Sequence, residues 1–428
     1  MGYSSTTSCR PTEPEQGTTL SRSRVLVIMG SYFLLTGALQ AFVPLRASAL
    51  GADGAILGLL LVLAGGGIGL VTDLGFASYA DARGRDKVVF GGFLCTLIAV
   101  SLVVLNGSIA VLFIGCFLAG LGNSAVFDSL LALLSTTRHH HTQTRTQGFN
   151  VSVQRLGALL AALTIGLTLA SQHDEILALT AGGACLVPLL VMYSRASRPG
   201  RCWTSLISKD AELGAGQLLI DGYRQGFKMF RRRKIVMAAL VSVAVNLIFI
   251  ETNSFVPLIG RHHGVRQALF ITAALVARDL VAIAVGVLTV ATGKDASSAK
   301  AVMGVLCLAA VSAAGVGLDA GGSNGILVLW CALQGVAIGV GVAAMNLLTV
   351  GASSEANRSL GMAAATLLNR AGVVVIPIGL GLTLQLIGLR FVFLAVAGAL
   401  LFFSLMFVGT ALEIGGGRRA RQETQARS

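Results

Sequence analysis

The sequence predicts an all-α membrane protein whose twelve transmembrane helices form two six-helix bundles. Three observations predict it. The 428 residues are 54% hydrophobic and 12% charged, with a mean hydropathy of +0.80, whereas a soluble globular chain carries about a quarter charged residues. Twelve apolar runs recur, each near the ~20 residues a helix needs to cross hydrocarbon. A constant spacing of 215 positions, that between Arg155 and Arg370, relates the two halves. At that spacing Gln154-Arg155-Leu156-Gly157 meets Asn369-Arg370-Ala371-Gly372, and Cys116 and Gly120 meet Cys331 and Gly335. Such a repeat implies two related bundles facing each other, with a site between them near the bilayer midplane.

Residues 1–23 are rich in Ser, Thr, Pro and Glu and are expected to form a disordered cytoplasmic tail. The first bundle, 24–194, holds apolar runs at 24–44, 54–78, 88–105, 109–134, 148–170 and 174–194. A polar interval, 195–233, is the expected cytoplasmic linker, in which Trp203 and residues 211–230 suit a short amphipathic helix at the membrane surface. Arg231-Arg232-Arg233-Lys234 closes it as a basic stop. The second bundle, 234–411, repeats the pattern at 234–259, 267–292, 300–318, 324–350, 359–387 and 390–411, and 412–428 is a basic tail.

The bases orient these runs. With both termini inside, 25 of the 32 Lys and Arg fall on cytoplasmic segments and four (Arg46, Arg261, Arg266, Arg390) fall outside. An excess of that size puts both ends in the cytoplasm, in the plasma membrane of the cell. The net charge of +13 is spread over loops, without a folded basic domain or stacking aromatics, so nucleic acid is excluded. The seven cysteines lie mostly in apolar runs and read as small hydrophobes. The six histidines, including His139-His140-His141, fall in loops, and no metal-ligand or Ser-His-Asp spacing appears. Neither an enzyme nor a cofactor is expected.

Between the second and third runs lies Ala77-Ser78-Tyr79-Ala80-Asp81-Ala82-Arg83-Gly84-Arg85-Asp86-Lys87, a dense cluster of charge between two lipid-length segments. Asp81 can accept from a helix N-terminus or a nearby cation, Gly84 lets the chain bend, and the bases hold the turn inside. This stretch resembles the G-x-x-x-D-(R/K)-x-G-R-(R/K) loop of the major facilitator superfamily of secondary transporters. Asp81, Gly84 and Arg85 fit that pattern, Ala77 and Ala82 depart from it, and Lys87 comes one residue late. The resemblance implies bundles that rock about a central site, with the first, fourth, seventh and tenth helices lining the cavity. It also implies that Asp128, near the cytoplasmic end of the fourth helix, pairs with Arg85 as a gate. Two further signatures are missing: Cys116 stands where proton-linked members place an arginine, and Gly157-Ala158 lacks the proline of drug antiporters.

Seven ionisable residues fall inside the apolar runs: Asp73, Asp128, Arg155, Glu251, Arg278, Asp279 and Arg370. In lipid each costs at least ~2.5–3.5 kcal/mol, so each needs a partner or a watery cavity. Glu251, in the polar stretch before Pro257, is the first choice for proton coupling, with Asp73 and Asp279 beside it; a water-exposed vestibule is the alternative for Glu251. Arg155 and Arg370 either line the substrate cavity or tie up their own bundles, and Asp73 is a candidate partner of Arg155. Arg278 and Asp279, adjacent on one helix, point about 100° apart and are not expected simply to neutralise each other. Gln40, Asn123, Asn253 and Asn346 complete a mixed polar and apolar pocket, with Tyr32, Thr36, Asn246 and Gln334 on the same helices. The expected function is proton-coupled efflux of a drug or secondary metabolite by a monomer in contact with membrane lipids. The rivals are a proton-linked importer of an organic, possibly anionic, solute gripped by Arg155 and Arg370, and a non-transporting sensor.

Overall fold

A computed structural model of the chain describes residues 22–105, 107–134, 140–171, 173, 175–196, 215–260, 264–292, 299–319, 324–353 and 358–427. The expected N-terminal tail through residue 21, His139 and Trp203 lie outside them. Among the described residues, twelve helical stretches are long and apolar enough to span a bilayer. In the first half they are α1 (Arg22–Ala49), α2 with α3 (Gly54–Ala64 and Gly69–Arg83), α4 (Arg85–Leu105), α5 (Ile109–Leu134), α6 (His140–Ser171) and α7 (Glu175–Ala196). The linker carries α8 (Ala215–Phe230). The second half holds α9 with α10 (Arg233–Ile250 and Val256–Gly260), α11 (Gly264–Thr292), α12 (Ala299–Asp319), α13 (Asn324–Val350), α14 (Arg358–Leu386) and α15 (Leu389–Arg427). The last helix continues past residue 411, where the sequence suggested a tail.

Two spans are interrupted, and each interruption has a local cause. The second breaks between α2 and α3 at Gly65-Gly66-Gly67-Ile68, where Gly66 takes φ +83°, a conformation open to glycine. Asp53 caps the start of α2, accepting from the Ile56 amide at 2.8 Å. The seventh span widens into a π-turn over Glu251–Phe255 just before Pro257. Proline has no N–H to give the preceding turn, and the wider turn absorbs the missing bond, the Val256 amide reaching the Glu251 carbonyl.

The repeat is visible in the packing. A Cβ on Gly120 would run into the Leu63 carbonyl, and one on Gly335, its equivalent, into the Arg278 carbonyl. The fourth span therefore presses on the second in the first bundle as the tenth presses on the eighth in the other. Between the bundles two seams form, α2 and α3 against α14 and α6 against α11. At the end away from Asp81 the first seam is a backbone contact: a Cβ on Gly54 or Gly381 would meet the other's carbonyl, and one on Gly58 the Pro377 carbonyl. Close approach through small residues is how helices gain contact in lipid, where apolar burial gives no preference. α8 lies across α3 and α14, with Gly226 against Leu74 and with Ile220 and Phe227 exposed.

Gly381→Val overfills that seam and is expected to cost about 1–3 kcal/mol. Gly379, two residues earlier on α14 with no atom within 4 Å of its would-be Cβ, accepts valine without that loss. Thermal unfolding of the two purified variants in detergent checks the difference; equal midpoints would show that the seam is not tightly packed.

Candidate functional site

A cavity of about 110 Å³ lies between the two halves. Tyr32, Thr36 and Gln40 of α1, Asn123 of α5, Asn246 and Asn253 of the seventh span, and Arg155 and Arg370 stand in its wall. The apolar side includes Phe33, Phe127 and Phe249. All seven intramembrane ionisable residues are at most 4% exposed. None faces the lipid perimeter, where side chains such as Leu156, Leu160 and Leu167 stand exposed.

The charges meet across the seams. Arg370 on α14 places Nε 2.6 Å from Oδ2 of Asp73 on α3. Its Nη1 donates to the Gly65 carbonyl at 3.2 Å, which also receives Asn123 Nδ2 at 3.1 Å. The break in the second span frees that carbonyl for them, and a Cβ on Gly66 would collide with both donors. Ser124 donates to the other oxygen of Asp73, Thr72 and Ser124 share a hydrogen bond at 2.7 Å, and the Tyr32 hydroxyl donates to Asn123. On the other seam, Arg155 of α6 sits 3.7 Å from Asp279 of α11. The Arg155 guanidinium lies over Phe249 at 4.2 Å and near Phe33 at 5.6 Å. Each bundle thus sends an arginine to an acid of its neighbour: fifth span to eighth, eleventh to second.

Several expectations need correcting. Asp73 takes Arg370 of the other bundle, not Arg155 of its own, and neither arginine ties up its own bundle. Arg278 and Asp279 do neutralise each other: Nε and Nη2 reach the two carboxylate oxygens at 3.2 and 2.6 Å. Successive Cα–Cβ bonds diverge, but a guanidinium on a long stem curls back where burial leaves the carboxylate needing donors. Arg278 Nη1 also donates to Asn253 at 2.8 Å and to Thr252. Asn253 passes a hydrogen bond to Gln40 Oε1 at 2.9 Å, and Ser254 donates to the Gln40 carbonyl at 3.1 Å, joining the seventh span to the first. Asp128 does not pair with Arg85. It is buried and accepts from Thr366 of α14 at 3.2 Å. Arg85 instead holds Asp81 at 2.7 Å, one helical turn away. The second oxygen of Asp81 accepts from the Leu360 amide at 3.3 Å, in the first turn of α14. Gly84, at φ +109°, ends α3 so that α4 starts at once.

Glu251 is fully buried in the π-turn, not in a wet vestibule, and is absent from the cavity wall. Gln334 of α13 donates to its Oε1 at 3.1 Å, and among the described residues Oε2 has no partner. Asp279 and Asn346 are likewise buried behind the wall; the Asn346 amide finds no partner among the described residues. The sequence reading did not single out Gly65 and Gly66, which make the break, Thr366, which donates to Asp128, or Thr72, Ser124 and the phenylalanines of the wall. The run Gly65-Gly66-Gly67 was the signal for the first two. Thr366 carries none, since one threonine in an apolar helix usually bonds its own backbone.

Two six-helix bundles that clasp a partly polar cavity at mid-membrane define a transporter of small molecules. The chain belongs to the Major Facilitator Superfamily, whose family model matches residues 25–297. Among solved structures it is similar to the human organic anion transporter MFSD10 (TETRAN), at 14% identity and a TM-score of 0.61 over 91% of this chain and 100% of that one. It is also similar to the proton:xylose symporter XylE bound to 6-bromo-6-deoxy-D-glucose, at 13% identity and 0.63, covering 91% and 96%. A third, a mutant of the nucleoside transporter NupG, shares 14% identity at 0.60, covering 91% and 99%. At these identities the likeness concerns the fold. No curated protein sequence matches this chain.

Arg370→Gln leaves Asp73 buried with one ionic partner fewer and is expected to cost about 3–5 kcal/mol of stability. Adding Asp73→Asn removes the orphaned charge and should recover more than half of the loss. A double-mutant cycle on thermal unfolding checks it; strictly additive losses would mean the pair is not coupled.

Proposed function

We propose that the protein exports a small amphipathic organic molecule, such as a drug or secondary metabolite, in exchange for protons. It does so as a monomer in the plasma membrane, with both termini cytoplasmic and membrane lipids around it. The carrying observation is the cavity itself: it lies between the halves, and a charge pair on each seam must part before one end can open. The wall supports an amphipathic solute, since Phe33, Phe127 and Phe249 offer apolar faces while Gln40, Asn123, Asn246 and Asn253 offer amides.

Proton coupling is placed first on Glu251, then on Asp73 and Asp279. Among the described residues Glu251 is fully buried with one hydrogen bond and no ion pair, and its Oε2 has no partner, whereas Thr366 reaches both oxygens of Asp128. We assign Glu251 the proton while it is buried, released when water reaches the π-turn. Asp81, Gly84, Arg85 and Asp128 form the cytoplasmic gate, with the bond from the Leu360 amide of α14 to Asp81 and that from Thr366 to Asp128 as its two cross-bundle ties. Proton-linked import by the same groups is the second reading. It is favoured by Arg155, a buried cation in the wall.

Everted vesicles carrying the protein and an imposed pH gradient are expected to lose that gradient when an exported compound is added, read with a pH-sensitive dye. Glu251→Gln should abolish gradient-driven accumulation and keep passive counterflow. Unchanged uphill transport in that variant would remove Glu251 from the coupling role, and acidification in the opposite sense would turn the reading to import.

A further inference from the structure

We infer that the transported solute is a planar organic carboxylate, and that Arg155, clamped against Phe249, is the residue that receives its anionic head. The inference rests on the transporter reading of the same cavity. It narrows the solute class and separates the roles of the two arginines.

A guanidinium carries five N–H donors and keeps its charge. Arg155 is 0% exposed, yet among the described residues none accepts a hydrogen bond from its Nε, Nη1 or Nη2. Leaving such donors unmade in a buried place is costly, and native interiors rarely tolerate it without a reason. The other buried arginines are engaged: Arg278 reaches Asp279, Asn253 and Thr252, and Arg370 reaches Asp73 and the Gly65 carbonyl, with Nη2 alone lacking a partner among the described residues. Asp279, the nearest carboxylate to Arg155, is already held at both oxygens by Arg278 and stays 3.7 Å away, beyond hydrogen-bond range. Arg155 and Arg278 therefore share one carboxylate, and most of the unfilled demand for an acceptor in the cavity wall falls on Arg155, with all three nitrogens unpartnered against one of Arg370.

The surroundings select the rest of the solute. Phe249 covers one face of the guanidinium at 4.2 Å and Phe33 approaches at 5.6 Å. An arginine fork fixed by stacking presents its edge to a carboxylate in the same plane. A flat apolar body then continues along the aromatic wall. The cavity of about 110 Å³ is smaller than the ~150 Å³ that takes up benzene, so it holds the head and admits the body as the halves part.

The test measures binding to the purified full-length protein in detergent, by the quench of intrinsic fluorescence, for benzoate and 2-naphthoate beside their methyl esters. In the wild type each acid should bind at least tenfold more tightly than its ester. Arg155→Gln should bring that ratio to about one, and Arg155→Lys, which keeps the charge and loses the fork, should fall between. Phe249→Leu should weaken 2-naphthoate more than acetate. Equal binding of acid and ester by the wild type, no binding of either acid, or discrimination kept by Arg155→Gln would each overturn the inference. If Arg155→Gln does not fold, the wild-type ratio and Phe249→Leu decide. Flux of neutral or cationic compounds undisturbed in Arg155→Gln would overturn it while leaving transport intact. Acid binding without flux of any solute would instead defeat the transport reading and leave the anion site standing.

Discussion

An ionised side chain in hydrocarbon must find its opposite inside the protein, and this constraint organises the molecule. Arg155 and Arg370 emerge from equivalent helices, and each finds its acid in the other bundle. The result is a joint in which neither half is electrically complete by itself. Parting them exposes charge, so separation is favourable only when water or a solute takes the place of the lost partner. The same rule that keeps charge away from lipid thereby links opening to hydration of the centre.

The glycine contacts supply the mechanical complement. Gly54 and Gly58 lie against Gly381 and Pro377 through backbone, with the Gln385 side chain beside Gly54. Contacts of this kind hold by dispersion over a short range. Electrostatic ties at the centre and close glycine contact at the margin together hold this seam.

Much of this was legible in the chain. Twelve spans could be counted because lipid demands ~20 apolar residues from each, and few other constraints impose so uniform a length. The spacing between Arg155 and Arg370 disclosed the duplication because Gly120 and Gly335 must keep the same close contact in each half. Which charge meets which was not legible. Arginine spans several ångströms with many rotamers, so neighbours in sequence such as Arg278 and Asp279 can bond while Asp73 passes over Arg155 for a residue nearly three hundred positions away. The interruption of the second span was hidden for another reason: three glycines keep a segment apolar enough to read as continuous.

That interruption makes the second span two short rods on a swivel. α2 is bound by its glycines to α14 at one end of the molecule, while α3 carries Asp73 and the Asp81 turn toward the other. Between the rods the regular i to i−4 ladder gives way to backbone bonds of mixed span, the Gly67 amide reaching the Val62 carbonyl and the Gly69 amide the Gly66 carbonyl, both at 2.8 Å. Each rod thus has an anchor of its own on α14, one in the glycine contact with Gly381 and the other in the Leu360 amide that Asp81 accepts.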